Sequence, residues 1–135
     1  MLPSAGLFEL GAPGPLRDRL VAAALAGEKI ATSSLLAQYE DEGESLPMPG
    51  QHWAMVDSAG EEVAVVETLE VSVIRLGDAD ERLARDEGEG FRSVAEWREA
   101  HEGFWRREVL PELRRPPVLD DDTEVVVERF RVLGA

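Results

Sequence analysis

The sequence predicts an α+β domain, a small mixed β-barrel flanked by helices, on three observations. A helix opened by Gly14-Pro15 comes first, residues 51–56 and 62–76 alternate as strands do, and a helix begun at Ser93 precedes a closing strand over 124–133. With so few strands, closure into a barrel is the arrangement that leaves no exposed edge. The 135 residues fit a single domain, with 1–14 as an N-terminal flap and the core over 27–133.

Proline at the first helical position sacrifices no hydrogen bond, because that amide has no partner inside the helix. Leu16, Leu20, Ala23 or Ala24 and Gly27 share one face, and Gly27 caps the helix. Ahead of it, Leu7, Phe8 and Leu10 fold back as the apolar flap. Residues 29–36 run extended. The acidic stretch Tyr39-Glu40-Asp41-Glu42-Gly43-Glu44, ending in Leu46-Pro47-Met48-Pro49-Gly50, reads as a solvated loop. Asp57-Ser58-Ala59-Gly60 turns the hairpin.

In the long second strand, Val63, Val65, Glu67, Leu69, Val71 and Val73 form one row, with Ala64, Val66, Thr68, Glu70, Ser72 and Ile74 on the other side. A bulge near Thr68 would exchange the two. A short helical piece at 78–86 leads to Glu87-Gly88-Glu89-Gly90. Ser93-Val94-Ala95-Glu96 is a capping box, and the helix it starts carries Val94, Trp97, His101, Phe104 and Glu108 in one stripe until Pro111. In the closing strand Val126, Glu128, Phe130 and Val132 share a face opposite Val125, Val127, Arg129 and Arg131.

The chain has no cysteine, which excludes disulfides, thiolate metal sites and cysteine nucleophiles. Its two histidines, His52 and His101, lack metal-ligand spacing, so neither a metal nor another cofactor is expected. No apolar run approaches membrane length and the first residues carry no basic leader, so the expectation is a soluble cytoplasmic protein without a membrane partner. Acidic residues outnumber basic ones 28 to 14, a net charge of −14. That balance argues against holding a long nucleic acid by phosphate neutralisation, while leaving room for a local basic patch. The oligomeric state is left open.

Chemistry concentrates in Gly27-Glu28-Lys29-Ile30-Ala31-Thr32-Ser33-Ser34-Leu35-Leu36, where the only lysine stands three residues before Thr32. A threonine hydroxyl becomes a nucleophile when a neighbouring base takes its proton, and a lysine is such a base only when neutral. Residues three apart in a regular strand face opposite sides, so Lys29 and Thr32 meet only if the chain bends after Gly27. The alternative is a solvent-facing lysine and an ordinary strand threonine. Glu87, flanked by glycine, can approach a ligand closely, or else belongs to a flexible acidic loop. His101, near Trp97 and Trp105, can stack on a base or move a proton, or is a satisfied core residue. Glu67 and Glu128 interrupt apolar faces and require a partner, such as Lys29, Arg129 or a water-filled barrel mouth. Arg106 and Arg107 suit a helix C-terminus better than a phosphate patch shared with Arg114 and Arg115.

Together these pieces resemble the ASCH family, whose fold is similar to the RNA-associated PUA barrel. The elements that carry the resemblance are the Gly27–Leu36 stretch, Tyr39-Glu40-x-Glu42-Gly43-Glu44-x-Leu46-Pro47-x-Pro49-Gly50, Val66-Glu67-Thr68, Glu87-Gly88-Glu89-Gly90, Trp97-Arg98-x-x-His101 and Thr123-x-Val125-Val126-x-Glu128-Arg129-Phe130. The resemblance implies a cleft that binds or acts on RNA, a nucleotide or a modified nucleoside. One branch resembles amidohydrolases of N4-acetylcytidine, which would make Lys29 the activating base, Thr32 the nucleophile and Glu87 the assisting carboxylate. Ser34, Tyr39, Glu67, Glu89, Trp97, His101 and Glu128 are the expected substrate contacts. The alternatives are a non-catalytic RNA- or nucleotide-binding module linked to translation, and a ribonuclease. Many members carry an arginine two residues after the threonine, where this chain has Ser34.

Overall fold

The computed structural model describes residues 5–134, so residues 1–4 of the expected flap lie outside the described residues, as does residue 135. Helix α1 (Pro15–Leu25) starts at the proline. It ends where Gly27 adopts a left-handed φ of 78°, with the amides of Gly27 and Glu28 returning to the carbonyls of Ala24 and Ala23. The segment before it is a short edge strand, β1 (Leu7–Phe8). Arg17 of α1 is buried and holds that segment, donating to the carbonyls of Leu10 and Gly11 and to Glu9.

Strands β2 (Ala31–Leu35), β3 (His52–Val56), β4 (Glu62–Arg75) and β5 (Glu124–Gly134) join β1 in one sheet of order β1-β3-β4-β5-β2. The β1–β3 pair is parallel and the others are antiparallel. The sheet does not close, so the expected barrel is replaced by an open five-stranded sheet with β1 and β2 at its edges. Its two-residue first strand offers too few backbone groups to bridge the gap, and β2 runs directly into helix α2 (Leu36–Glu42). That helix is a second correction, since Tyr39–Glu42 was expected to be loop. The Gln38 side chain accepts from the Leu35 amide and Gly43 closes the helix at φ 66°, while its acids face outward.

Alternation along β5 divides the core in two. Val125 and Val127 pack with Ala31, Leu35, Trp97 and Trp105 beneath helices α3 (Glu81–Asp86) and α4 (Val94–Phe104). Phe130 packs with Phe8, Leu20, Ala24, Met55 and Val66 on the α1 side. The sequence left a bulge near Thr68 open, and β4 has one: pairing passes from Thr68↔Phe130 to Glu70↔Arg129, leaving Leu69 as the extra residue. Ala64, Val66 and Thr68 therefore face the α1 core, whereas Ile74 beyond the bulge packs on the α4 side.

Gly88 fixes how the end of α3 meets the start of β2. Its φ is 64°, and a Cβ there would stand 2.3 Å from the Glu28 carbonyl oxygen and 2.6 Å from Lys29 Cα. The Ile30 amide donates to the Asp86 carbonyl across this contact at 2.8 Å. We expect Gly88→Ala to lose about 3 kcal/mol of stability, from strained backbone plus a clash with main chain; urea unfolding checks this, and a loss under about 1 kcal/mol would contradict the close approach.

Candidate functional site

The bend after Gly27 turns Lys29 inward, and the glycine-permitted contact at Gly88 brings Glu87 to it. Lys29 is 2% exposed and Glu87 1%. The ammonium donates to the carbonyls of Ala31 (2.9 Å) and Glu87 (3.1 Å) and lies 3.4 Å from Glu87 Oε1 and 3.5 Å from Glu89 Oε2. The other Glu87 oxygen, Oε2, accepts from the Ser33 hydroxyl at 2.7 Å and the Trp97 indole N–H at 2.6 Å. Every oxygen of this carboxylate is therefore engaged, as burial of a charge requires.

His101 completes the cluster. It stacks on Trp97 with ring centroids 4.4 Å apart, its Nδ1 lies 2.8 Å from the Trp97 carbonyl, and its Nε2 lies 3.1 Å from Glu87 Oε1. A carbonyl only accepts, so Nδ1 carries a hydrogen; a carboxylate also only accepts, so Nε2 carries one as well. The arrangement is that of an imidazolium against a carboxylate. Burial pushes the Glu87 carboxyl upward, but the hydrogen bond and charge of His101, followed by Lys29 and Ser33, outweigh it and hold the group down at about 2. Burial pushes His101 down, and the hydrogen bond and charge of Glu87 outweigh that, raising it above the ordinary imidazole value.

Two cavities meet at β2. One, of about 350 Å³, is lined by Lys29, Glu87, Glu89 and His101 with apolar walls from Phe91 and Phe104. The other, of about 280 Å³, lies beside Ser34, Tyr39, Trp53 and Glu128. Thr32 lines both. Thr32 pairs across the ladder with Glu128, so it belongs to the face opposite Ser33, and none of the Lys29 hydrogen bonds among the described residues goes to it. The structure thus joins Lys29 to Glu87 and sets Thr32 at the boundary of their cavity.

Of the expected substrate contacts, Glu89 and His101 line the Lys29 cavity, while Ser34, Tyr39 and Glu128 line the second. Trp97 is wholly buried and lines neither; it positions Glu87. Glu67 also lines neither, because its row turns outward; it is held by Arg131 at 2.6 Å and faces His52 at 3.6 Å. Glu128 accepts from Thr68, whose hydroxyl accepts from the Trp53 indole, and burial raises its carboxyl above the usual range. Neither Lys29 nor Arg129 is its partner; Arg129 pairs with Asp86. Burial, then the charge of Glu128, pushes Tyr39 up to about 12, keeping its phenol protonated. Ser33 is the unanticipated member, and strand parity is the signal that separates it from Thr32 and Ser34.

The donor atoms of Glu87, Glu89 and His101 lie within 4.8 Å of one another, the one such grouping among the described residues. Lys29 already occupies the space between the two carboxylates, and His101 presents an N–H where a metal needs a lone pair. Arg106 pairs with Glu102, and Arg114 and Arg115 lie beside Glu40 and Asp41, so the four arginines do not form one patch. Among the described residues, no helix is long and apolar enough to cross a membrane.

The ASCH domain family model matches residues 8–134. A crystal structure of an ASCH domain from Lactobacillus crispatus JV V101 is 30% identical and superposes with a TM-score of 0.86, covering 98% of this chain and 81% of that one. A protein from Enterococcus faecalis V583 is 26% identical with a TM-score of 0.85, over 99% of this chain and 78% of the other. No curated protein matches the chain.

Folded Glu87 titrates below its ordinary value, so its contribution is present above about pH 4.5 and is lost as pH falls toward about 2. Folded His101 titrates above its ordinary value, so its contribution is present below about pH 6.5 and is lost as pH rises through the elevated value. We expect His101→Gln to flatten the alkaline decline measured by urea unfolding across pH; an unchanged profile would refute the imidazolium–carboxylate pair.

Proposed function

We propose that this chain, which belongs to the ASCH domain family, binds a modified nucleoside in the Lys29 cavity and hydrolyses an acyl group from its exocyclic amine. The observation that carries the reading is a buried ammonium and an ionised carboxylate facing one cavity whose boundary is a threonine hydroxyl. Its apolar walls at Phe91 and Phe104 suit a flat base. The family is often linked to RNA binding, which agrees with a ligand built on a nucleobase.

In this reading Lys29 gives its ammonium proton to solvent as the ligand enters, and the Thr32 oxygen then bonds to the acyl carbon as the neutral Lys29 amine takes the hydroxyl proton. The carbon–nitrogen bond then breaks, and that proton passes from Lys29 to the leaving nitrogen. Glu87, being ionised, accepts a hydrogen bond from the amine N–H and does not serve as its acid. Water then cleaves the threonine ester and releases the acid. The reaction requires the Lys29 side chain to turn from Glu87 toward Thr32 as the ligand enters.

A second reading is binding without turnover. It is favoured by one observation, that the Lys29 hydrogen bonds go to Ala31 and to the Glu87 side chain and carbonyl. Incubation with N4-acetylcytidine separates the two. The hydrolytic reading expects release of cytidine and acetate, lowered on the order of a thousandfold or more by Thr32→Ala or Lys29→Met and about a hundredfold by Glu87→Gln. Binding without release, or release indifferent to Thr32→Ala, would remove the proposed nucleophile.

A further inference from the structure

The Lys29 cavity has two cations that the proposed chemistry leaves unused. Arg19, from α1, and Arg107, from the turn after α4, both line it, and both are exposed. Neither forms a salt bridge or hydrogen bond among the described residues, although acids outnumber bases 28 to 14 in this chain. Glu87 and Glu89, the inner acids of the cavity, are already engaged by Lys29. Glu99 is the remaining acid of the lining, and it too is exposed.

Arg107 is placed by two local features. Residues Trp105–Val109 form a π-helical turn, a wider winding that recurs at functional sites, and Arg107 stands in its middle. One turn earlier stands Gly103, where a Cβ would lie 3.3 Å from Arg107 Nη1. The guanidinium therefore rests against bare backbone. The second cavity offers the opposite field, with Glu9, Glu42, Glu44 and Glu128 in its lining and neither Lys nor Arg. An anionic group on a ligand that reaches Thr32 has only the Lys29 side to occupy.

We propose that Arg19 and Arg107 form a phosphate seat at the mouth of the Lys29 cavity, so that its ligand is a nucleoside monophosphate in preference to a free nucleoside. The seat stands on the two arginines; the attached base rests on the function proposed above. Guanidinium groups are suited to this task because they bind phosphate oxygens with paired N–H donors. The surrounding net charge of −14 disfavours a long polyanion over a single phosphate.

The test follows the arginine Nε–H signals by NMR while inorganic phosphate is added to tens of millimolar at low salt. We expect the Arg19 and Arg107 signals to move together and saturate, and an Arg19→Gln/Arg107→Gln protein to show no saturable phosphate binding. Both side chains are exposed, so this variant should keep its fold. In a second arm, cytidine 5′-monophosphate should bind wild type about tenfold more tightly than cytidine, with the preference abolished in the variant. Silent arginine signals, or nucleotide and nucleoside bound equally, would overturn the seat. N4-acetylcytidine 5′-monophosphate held through the arginines but not deacylated would instead retain the seat and remove the hydrolase reading.

Discussion

One buried carboxylate organises this molecule. Glu87 receives a lysine, a serine, an indole and an imidazole, drawn from the entry to β2, from β2 itself and from α4. Removing any one donor from a buried anion costs more than an exposed pair returns, so these elements are held in register by a single electrostatic requirement. Gly88 makes the geometry attainable, because only a residue without a side chain lets Glu87 sit against the backbone of Glu28 and Lys29. Trp97 and Trp105 behind it belong to the buried apolar core.

Strand β2 then converts this cluster into a two-sided cleft. Its alternation sends Ser33 to Glu87 and aligns Thr32 with Glu128 on the other face. The two cavities differ sharply in charge: the Lys29 side mixes cations and anions, and the Glu128 side contains carboxylates alone among its charged groups. A ligand lying across Thr32, as proposed, would be oriented by field as well as by shape. Edge position matters here, since a strand covered on both sides would leave no room for two lobes.

Much of the fold was legible because its signals are local. Gly14-Pro15, the Ser93 cap and the alternation of β4 and β5 each act through nearby backbone, whereas the bulge beside Thr68 was one open alternative, because a lone Glu67 in an apolar row fits either a bulge or a partnered carboxylate. The open sheet was not legible, because closure depends on how far β1 extends, and two residues of pairing leave no periodic trace. Helix α2 was hidden by its acids, which signal solvent without distinguishing loop from exposed helix. At the site, the lone lysine and the Glu-Gly-Glu-Gly element pointed to each other correctly. Assignments that needed register did not follow from composition: Glu67 turned outward to Arg131, Trp97 proved to support the carboxylate from beneath, and Ser33 took the hydroxyl contact.

Glu87 is an anion held between Lys29 and His101. Its side-chain carboxyl carbon, observed by 13C NMR as a function of pH, reports that charge directly. An ionised carboxylate is expected throughout the neutral and mildly acidic range, titrating only near pH 2. A carboxyl that protonates at or above about 4.5 would contradict it, and would leave the lysine and the histidine without the charge that holds them in place.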